Sequence, residues 1–167
     1  MLINKFHKLR IWKVFKELKS VVTLRDIMVC PVLTTKKNAK VSEAASTMCA
    51  NNLGSLVVVD DNEKLVGMVT ERDMLRKIIM TSKNPKQTDV SQIMSSPLVA
   101  CNPNMDVEDA AKFMLQKNIK RLPVVEEGKL IGIVTFTDIM RAQPQLMIAL
   151  ERSFEKFPKR FKKWMRK

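Results

Sequence analysis

Residues 27–76 read IMVCPVLTTKKNAKVSEAASTMCANNLGSLVVVDDNEKLVGMVTERDMLR, and residues 93–141 read IMSSPLVACNPNMDVEDAAKFMLQKNIKRLPVVEEGKLIGIVTFTDIMR. Laid over each other at an offset of 66, falling to 65 after a deletion near Asn62, they share 19 identities over about 50 positions. The matches include Pro31 with Pro97, Ala44 and Ala45 with Ala110 and Ala111, Gly67 with Gly132, Thr70 with Thr135, and Asp73 with Asp138. Self-similarity at a fixed period marks one structural unit used twice. Reading one unit therefore reads the body of the chain.

Each unit begins with a short extended piece after its proline, Val32 to Thr35 or Leu98 to Cys101. Apolar positions at helical spacing follow: Val41, Ala44, Ala45 and Met48, or Val107, Ala110, Ala111 and Met114. Two β-rich runs come next, Leu56 to Val59 then Leu65 to Val69, and Leu122 to Val125 then Leu130 to Val134, joined by the turn residues DDNE or EEG. Thr70 and Thr135 stand where a second helix begins, each with an aspartate three residues on. The unit is β-α-β-β-α, twice, an α/β fold. One unit of this size cannot bury both faces of its sheet, so the copies are expected to pack together as one module.

Outward from the repeat, the charge changes. The 167 residues hold 30 Lys and Arg against 17 Asp and Glu, for a net charge of +13. Residues 1–20 contribute six basic and one acidic residue, residues 21–140 fifteen and fourteen, and residues 141–167 nine and two. Seven aromatic residues also lie in the ends: Phe6, Trp12, Phe15, Phe154, Phe157, Phe161 and Trp164. The expected division is a basic amphipathic N-terminal helix over 1–21, a first repeat over 22–83, a second over 84–142, and a basic amphipathic C-terminal helix over 143–167, which Pro158 would kink.

At 46% hydrophobic and 28% charged residues the composition is globular. Cys30, Cys49 and Cys101 form no CxxC pair, which disfavours a zinc site or a disulfide framework and suits a reducing, cytoplasmic setting. No apolar run reaches the roughly 18 residues of a spanning helix, and lysines interrupt the first twenty residues too often for a secretory signal. His7 is the single histidine, and no GxSxG, HExxH or P-loop pattern occurs. An enzyme is not expected.

The pattern IM-x-x-P, then h-N-x-x-x-L-x-V-V, then G-h-V-T-x-x-D resembles the cystathionine β-synthase (CBS) domain, and its doubling over about residues 22–142 resembles the paired form, the Bateman module. The resemblance implies a disc-like module with two clefts, regulation by ligand binding, and AMP, ADP, ATP or S-adenosylmethionine as ligand, with no required cofactor. It places Asp73 and Asp138 at ribose hydroxyls with Thr70 and Thr135 beside them, and Arg72 and Thr137 at a position that reaches phosphate. Thr34 matches a threonine of the first strand, where the second repeat has Ala100. Lys120 and Arg121 match a basic pair that meets phosphate, where the first repeat has Gly54 and Ser55, so the clefts are expected to be unequal and the more anionic ligand to lie near Lys120 and Arg121. Modules of this family often form homodimers.

The residues support this reading physically. A helix N-terminus suits phosphate, and a carboxylate in its first turn can accept two hydrogen bonds from a ribose diol. T-x-x-D is also close to a capping box, worth about 0.5–2 kcal/mol for the cap alone. Lys120 and Arg121 can equally be solvated turn residues, and Phe113 and Phe136 read as core. For the tails three readings stand: apolar stripes buried on the module or a second subunit, contact with an anionic membrane surface, or contact with nucleic acid. The leading expectation is a cytoplasmic nucleotide sensor. The alternative is a membrane or nucleic-acid scaffold with unoccupied clefts.

Overall fold

The structure is a computed structural model that describes residues 22–146. Residues 1–21 and 147–167, where nearly all of both expected basic helices fall, lie outside the described residues. The elements are α1 (Leu24–Ile27), β1 (Thr34–Lys36), α2 (Val41–Ala50), β2 (Ser55–Val59), β3 (Leu65–Thr70), α3 (Glu71–Met74), α4 (Val107–Lys117), β4 (Arg121–Glu126), β5 (Lys129–Thr135) and α5 (Phe136–Ala142). A wider turn, Leu75–Ile79, prolongs α3, with Met80 N–H donating to Leu75 O and Lys83 N–H to Ile78 O across five residues.

In the first repeat β1 runs parallel to β2, and β2 pairs antiparallel with β3. The second repeat keeps the β4–β5 hairpin, with the same one-residue register shift beside its glycine. Its hairpin turn places Glu127 and Gly128 at positive φ, as a tight right-twisting connection requires. The first hairpin instead gathers its longer turn around Asp60, whose Oδ1 accepts from the Asn62 and Lys64 amides at 2.9 Å each.

The first strands differ from expectation. In repeat one the strand is Thr34–Lys36, two residues later than the proline suggested. In repeat two it shrinks to a single parallel bridge between Cys101 and Val124. Lys37 N–H continues the first ladder by donating to Val59 O at 3.0 Å, whereas the residue in its place is Pro103, which has no N–H to give. Both prolines that open the units, Pro31 and Pro97, follow cis peptide bonds.

The two hairpins pack through a seam. Along β2, Leu56 and Val58 point to their own helix α2 and join Val41, Ala44 and Met48, while Val57 and Val59 point the other way. These two, with Met68, meet Leu130 and Ile133 from the second repeat. A third cluster fills repeat two beneath α4 and α5, centred on Met114, Leu122, Phe136 and Ile139. Burial of both faces of the sheets is what the apolar runs of β2 and β4 required.

The segment before each unit docks on the opposite unit. Leu24 of α1 is fully buried in the repeat-two cluster, and Val29 exchanges backbone hydrogen bonds with Ile133 at 2.9 and 3.1 Å. The mirror arrangement seats Val90 and Ile93 in the repeat-one cluster and pairs Ser95 with Met68 at 2.8 and 3.1 Å. Met28 and Met94 pack against the repeat-two and repeat-one clusters and lie across the glycines of the opposite hairpin. A Cβ on Gly132 would stand 2.5 Å from Met28 Sδ, and one on Gly67 2.8 Å from Met94 Sδ. That close approach gives both glycines a reason.

Candidate functional site: two clefts and a shared centre

Both T-x-x-D elements form the capping box. Thr70 Oγ1 and Thr70 N–H donate to Asp73 Oδ2 at 2.6 and 3.0 Å, and Asp73 N–H donates back to Thr70 Oγ1 at 3.2 Å. Thr135 and Asp138 repeat the pattern at 2.6, 2.8 and 3.3 Å. The first helical amides are also engaged, Glu71 N–H with Gly54 O and Phe136 N–H with Lys120 O. Each cap consumes Oδ2 and leaves Oδ1 outside it; Asp73 Oδ1 faces Lys77 Nζ at 3.7 Å. Capping therefore fixes where the carboxylates stand, and its local role is real.

Each aspartate also lines a cleft built from both repeats. The first cleft, about 630 Å³, sets Thr135, Thr137, Asp138 and Arg141 opposite Pro31, Val32 and Leu33 and the Asn51–Ser55 turn. The second, about 470 Å³, sets Thr70, Arg72, Asp73 and Arg76 opposite Pro97, Leu98 and Val99 and the turn at Asn118 and Ile119. Exchange of the leading segments explains the crossing, because the proline of one unit is carried to the helix start of the other. A smaller cavity of about 310 Å³ lies between the clefts and is lined by Gly54, Glu71, Arg72, Lys120, Arg121 and the two cap threonines, among others.

Of the residues singled out in sequence, the structure gathers Thr70, Arg72, Asp73, Lys120 and Arg121 at the second cleft and Thr135, Thr137, Asp138 and Arg121 at the first. Thr34 is not with them: it lines a separate groove with Val59, Glu63 and Lys129. Thr34 opens β1, and Pro31, Val32 and Leu33 before it line the cleft, with Pro31 and Val32 also bordering the groove of Thr34. The linings of the two clefts differ. Among the described residues, Arg72, Arg76, Lys120 and Arg121 line the second, while Arg121 and Arg141 are the basic residues of the first. Phe136 is buried, as a core residue, and also borders the central cavity. Phe113 packs at the edge of the core under Lys117 Nζ, 5.9 Å from the ring centre.

Two pairs escaped the sequence reading. Arg76 and Arg141 each stand one helical turn beyond the cleft aspartate, and they are one of the repeat identities, which was the available signal. Gly54 and Glu71 have no such signal, because their counterparts are Lys120 and Phe136. Burial pushes the Arg121 guanidinium pKa down, Glu71 acts in the opposite sense, and Arg72 adds to the lowering. Among the described residues, no group of three or more His, Cys, Asp or Glu side chains could hold a metal ion, and no helix is long and apolar enough to cross a membrane.

The CBS domain family model matches residues 24–80 and again 90–145. The chain is 40% identical over 117 residues to the CBS domain-containing protein YhcV of Bacillus subtilis, covering 70% of this chain and 82% of that one. It is 36% identical over 137 residues to an uncharacterized protein of Methanopyrus kandleri, covering 81% and 70%. Among solved structures it is similar to a hexameric CBS-CP12 protein from bloom-forming cyanobacteria, at 34% identity and a TM-score of 0.67, with 72% of this chain and 70% of that chain covered. Matched twice along its length and folded as two interlocked units, the chain belongs to the CBS-domain family.

Proposed function

We propose that the protein is a non-catalytic, cytoplasmic regulatory module that binds adenosine nucleotides of the AMP, ADP or ATP type in its clefts. The observation that carries this reading is the same trio in both clefts: a capped aspartate, its threonine, and an arginine one turn on, facing a proline-led segment of the other repeat. The aspartates suit a ribose diol, the arginines suit phosphate, and the apolar segments Pro31–Leu33 and Pro97–Val99 suit a base. The volumes of both clefts fall in the range of small-molecule sites. The second cleft, lined by Arg72, Arg76, Lys120 and Arg121, takes the more anionic nucleotide.

A ligand in either cleft touches both repeats, so occupancy changes the free energy of their packing, and a ligand shifts an equilibrium by its differential affinity for the two states. Self-association, as in the hexameric cyanobacterial relative, is the natural setting for reading out such a shift. Thermal unfolding with AMP, ADP, ATP and S-adenosylmethionine tests the proposal. A true ligand at 100 times its Kd stabilises by about 2.7 kcal/mol. No shift with any of the four overturns the reading.

A further inference from the structure

Among the described residues, Arg121 alone lines the first cleft, the second cleft and the cavity between them. Its counterpart in repeat one is Ser55, so the module has one such guanidinium for two clefts. Gly54 makes the placement possible: a Cβ there would stand 2.9 Å from an Arg121 terminal nitrogen and 3.2 Å from Glu71 Oε2. Arg121 forms no ion pair within salt-bridge distance among the described residues. Glu71 supports its charge from further off, and Arg72 opposes it. No side-chain nitrogen or oxygen is left buried and unsatisfied among the described residues, so the guanidinium donors that the protein does not use are open to the cavities.

We infer that Arg121 is an anion contact shared by both clefts, and that it makes them compete: an anionic nucleotide in one weakens binding in the other. The inference rests on the nucleotide reading and adds its regulation. A guanidinium gives its best hydrogen bonds as a two-pronged pair to a single phosphate. The first anion to bind takes that geometry. The second meets a cation already neutralised, and meets the first anion across a cavity of about 310 Å³. The effect falls harder on the cleft of Asp138, where Arg141 is the other basic lining residue among the described residues, than on that of Asp73, which keeps Arg72, Arg76 and Lys120.

Calorimetric titration with AMP tests this on the full chain and on Asp73→Ala and Asp138→Ala, each closing one cleft, with the Asn variants in place of any Ala variant that does not fold. The cleft of Asp138, left open in Asp73→Ala, is expected to bind AMP about 10-fold more tightly than the second step of the unaltered chain. In the Arg121→Ser background, which gives repeat two the residue of repeat one, the stepwise and single-cleft affinities are expected to agree. Stepwise affinities that already equal the single-cleft ones with Arg121 present overturn the inference alone. So does competition that survives Arg121→Ser, or a single-cleft variant that binds no AMP. Absence of AMP binding to the unaltered chain, with no thermal shift from the other nucleotides, overturns the nucleotide reading and the inference with it.

Discussion

Met28 lies across Gly132, although one opens the first repeat and the other sits in the last strand of the second. A methyl group on Gly132 would meet the methionine Cβ, Cγ and Sδ within 3.0 Å, so the contact cannot be relieved by moving only the tip of a flexible chain. Gly132→Ala is expected to destabilise by about 1–3 kcal/mol, the usual cost of overpacking. Met28→Ala in the same chain is expected to recover part of that loss. Urea unfolding of the two single variants and the double variant measures the coupling, and additive losses would contradict it.

Leu24 stands at the start of repeat one in sequence and is fully buried in the core cluster of repeat two. Leu24→Ala is expected to cost about 2–5 kcal/mol, and its loss of amide protection is expected to concentrate in Val107–Lys117 and Phe136–Ala142. Hydrogen exchange reads the location directly. Val90→Ala is expected to weaken the opposite unit, over Val41–Ala50 and Ser55–Val59. Loss of protection next to the substituted residue alone would contradict the exchange of segments.

The capping boxes and the clefts share their aspartates, and two substitutions separate the roles. Thr70→Ala removes the hydroxyl of the cap and keeps the carboxylate, whereas Asp73→Ala removes both the cap acceptor and the cleft oxygen. Each is expected to lose about 0.5–2 kcal/mol of stability, with the larger loss of AMP affinity in Asp73→Ala. Melting curves with parallel titrations check this. Equal affinities in the two variants would leave Asp73 a capping residue only.

Cys101 is half-buried beside β4, and burial raises its thiol pKa. A raised pKa leaves less thiolate at a given pH, so alkylation is expected to reach exposed Cys30 and Cys49 first. The Cys101 rate is expected to go on rising above the pH at which a free thiol, with a pKa of about 8.5, has levelled off. Mass-resolved labelling over pH gives the order. Early modification of Cys101 would contradict its burial.

Much of this was legible in the sequence, because the signals were local. Helical spacing marked Val41–Met48 and Val107–Met114, the β-branched runs marked four strands, and the paired T-x-x-D elements located both helix starts. Non-local relations were not legible. Nothing within residues 22–29 says that they dock on the other unit, since their partners Met105, Val107 and Ile133 lie far along the chain. Thr34 was misplaced for a related reason: family correspondence gave its strand, but the start of that strand decides which residues face the cleft. Pro103 was readable, as a missing N–H where Lys37 donates, once the repeats were aligned residue by residue. The unequal centre was half legible. Lys120 and Arg121 stood out, while the glycine that gives Arg121 its room became meaningful only in three dimensions.

The crossed leading segment also settles where the described chain is anchored. Val22 O accepts from the Val107 amide, and Leu146 is buried in the same repeat-two cluster that Val22 packs against. Both limits of residues 22–146 are thus rooted in one unit, and repeat one is the end without roots. A rocking of one unit on the other leaves the separation of the two roots unchanged, so a distance probe spanning Val22 and Leu146 is blind to it. A probe between either root and the α2 side of repeat one sees the whole motion.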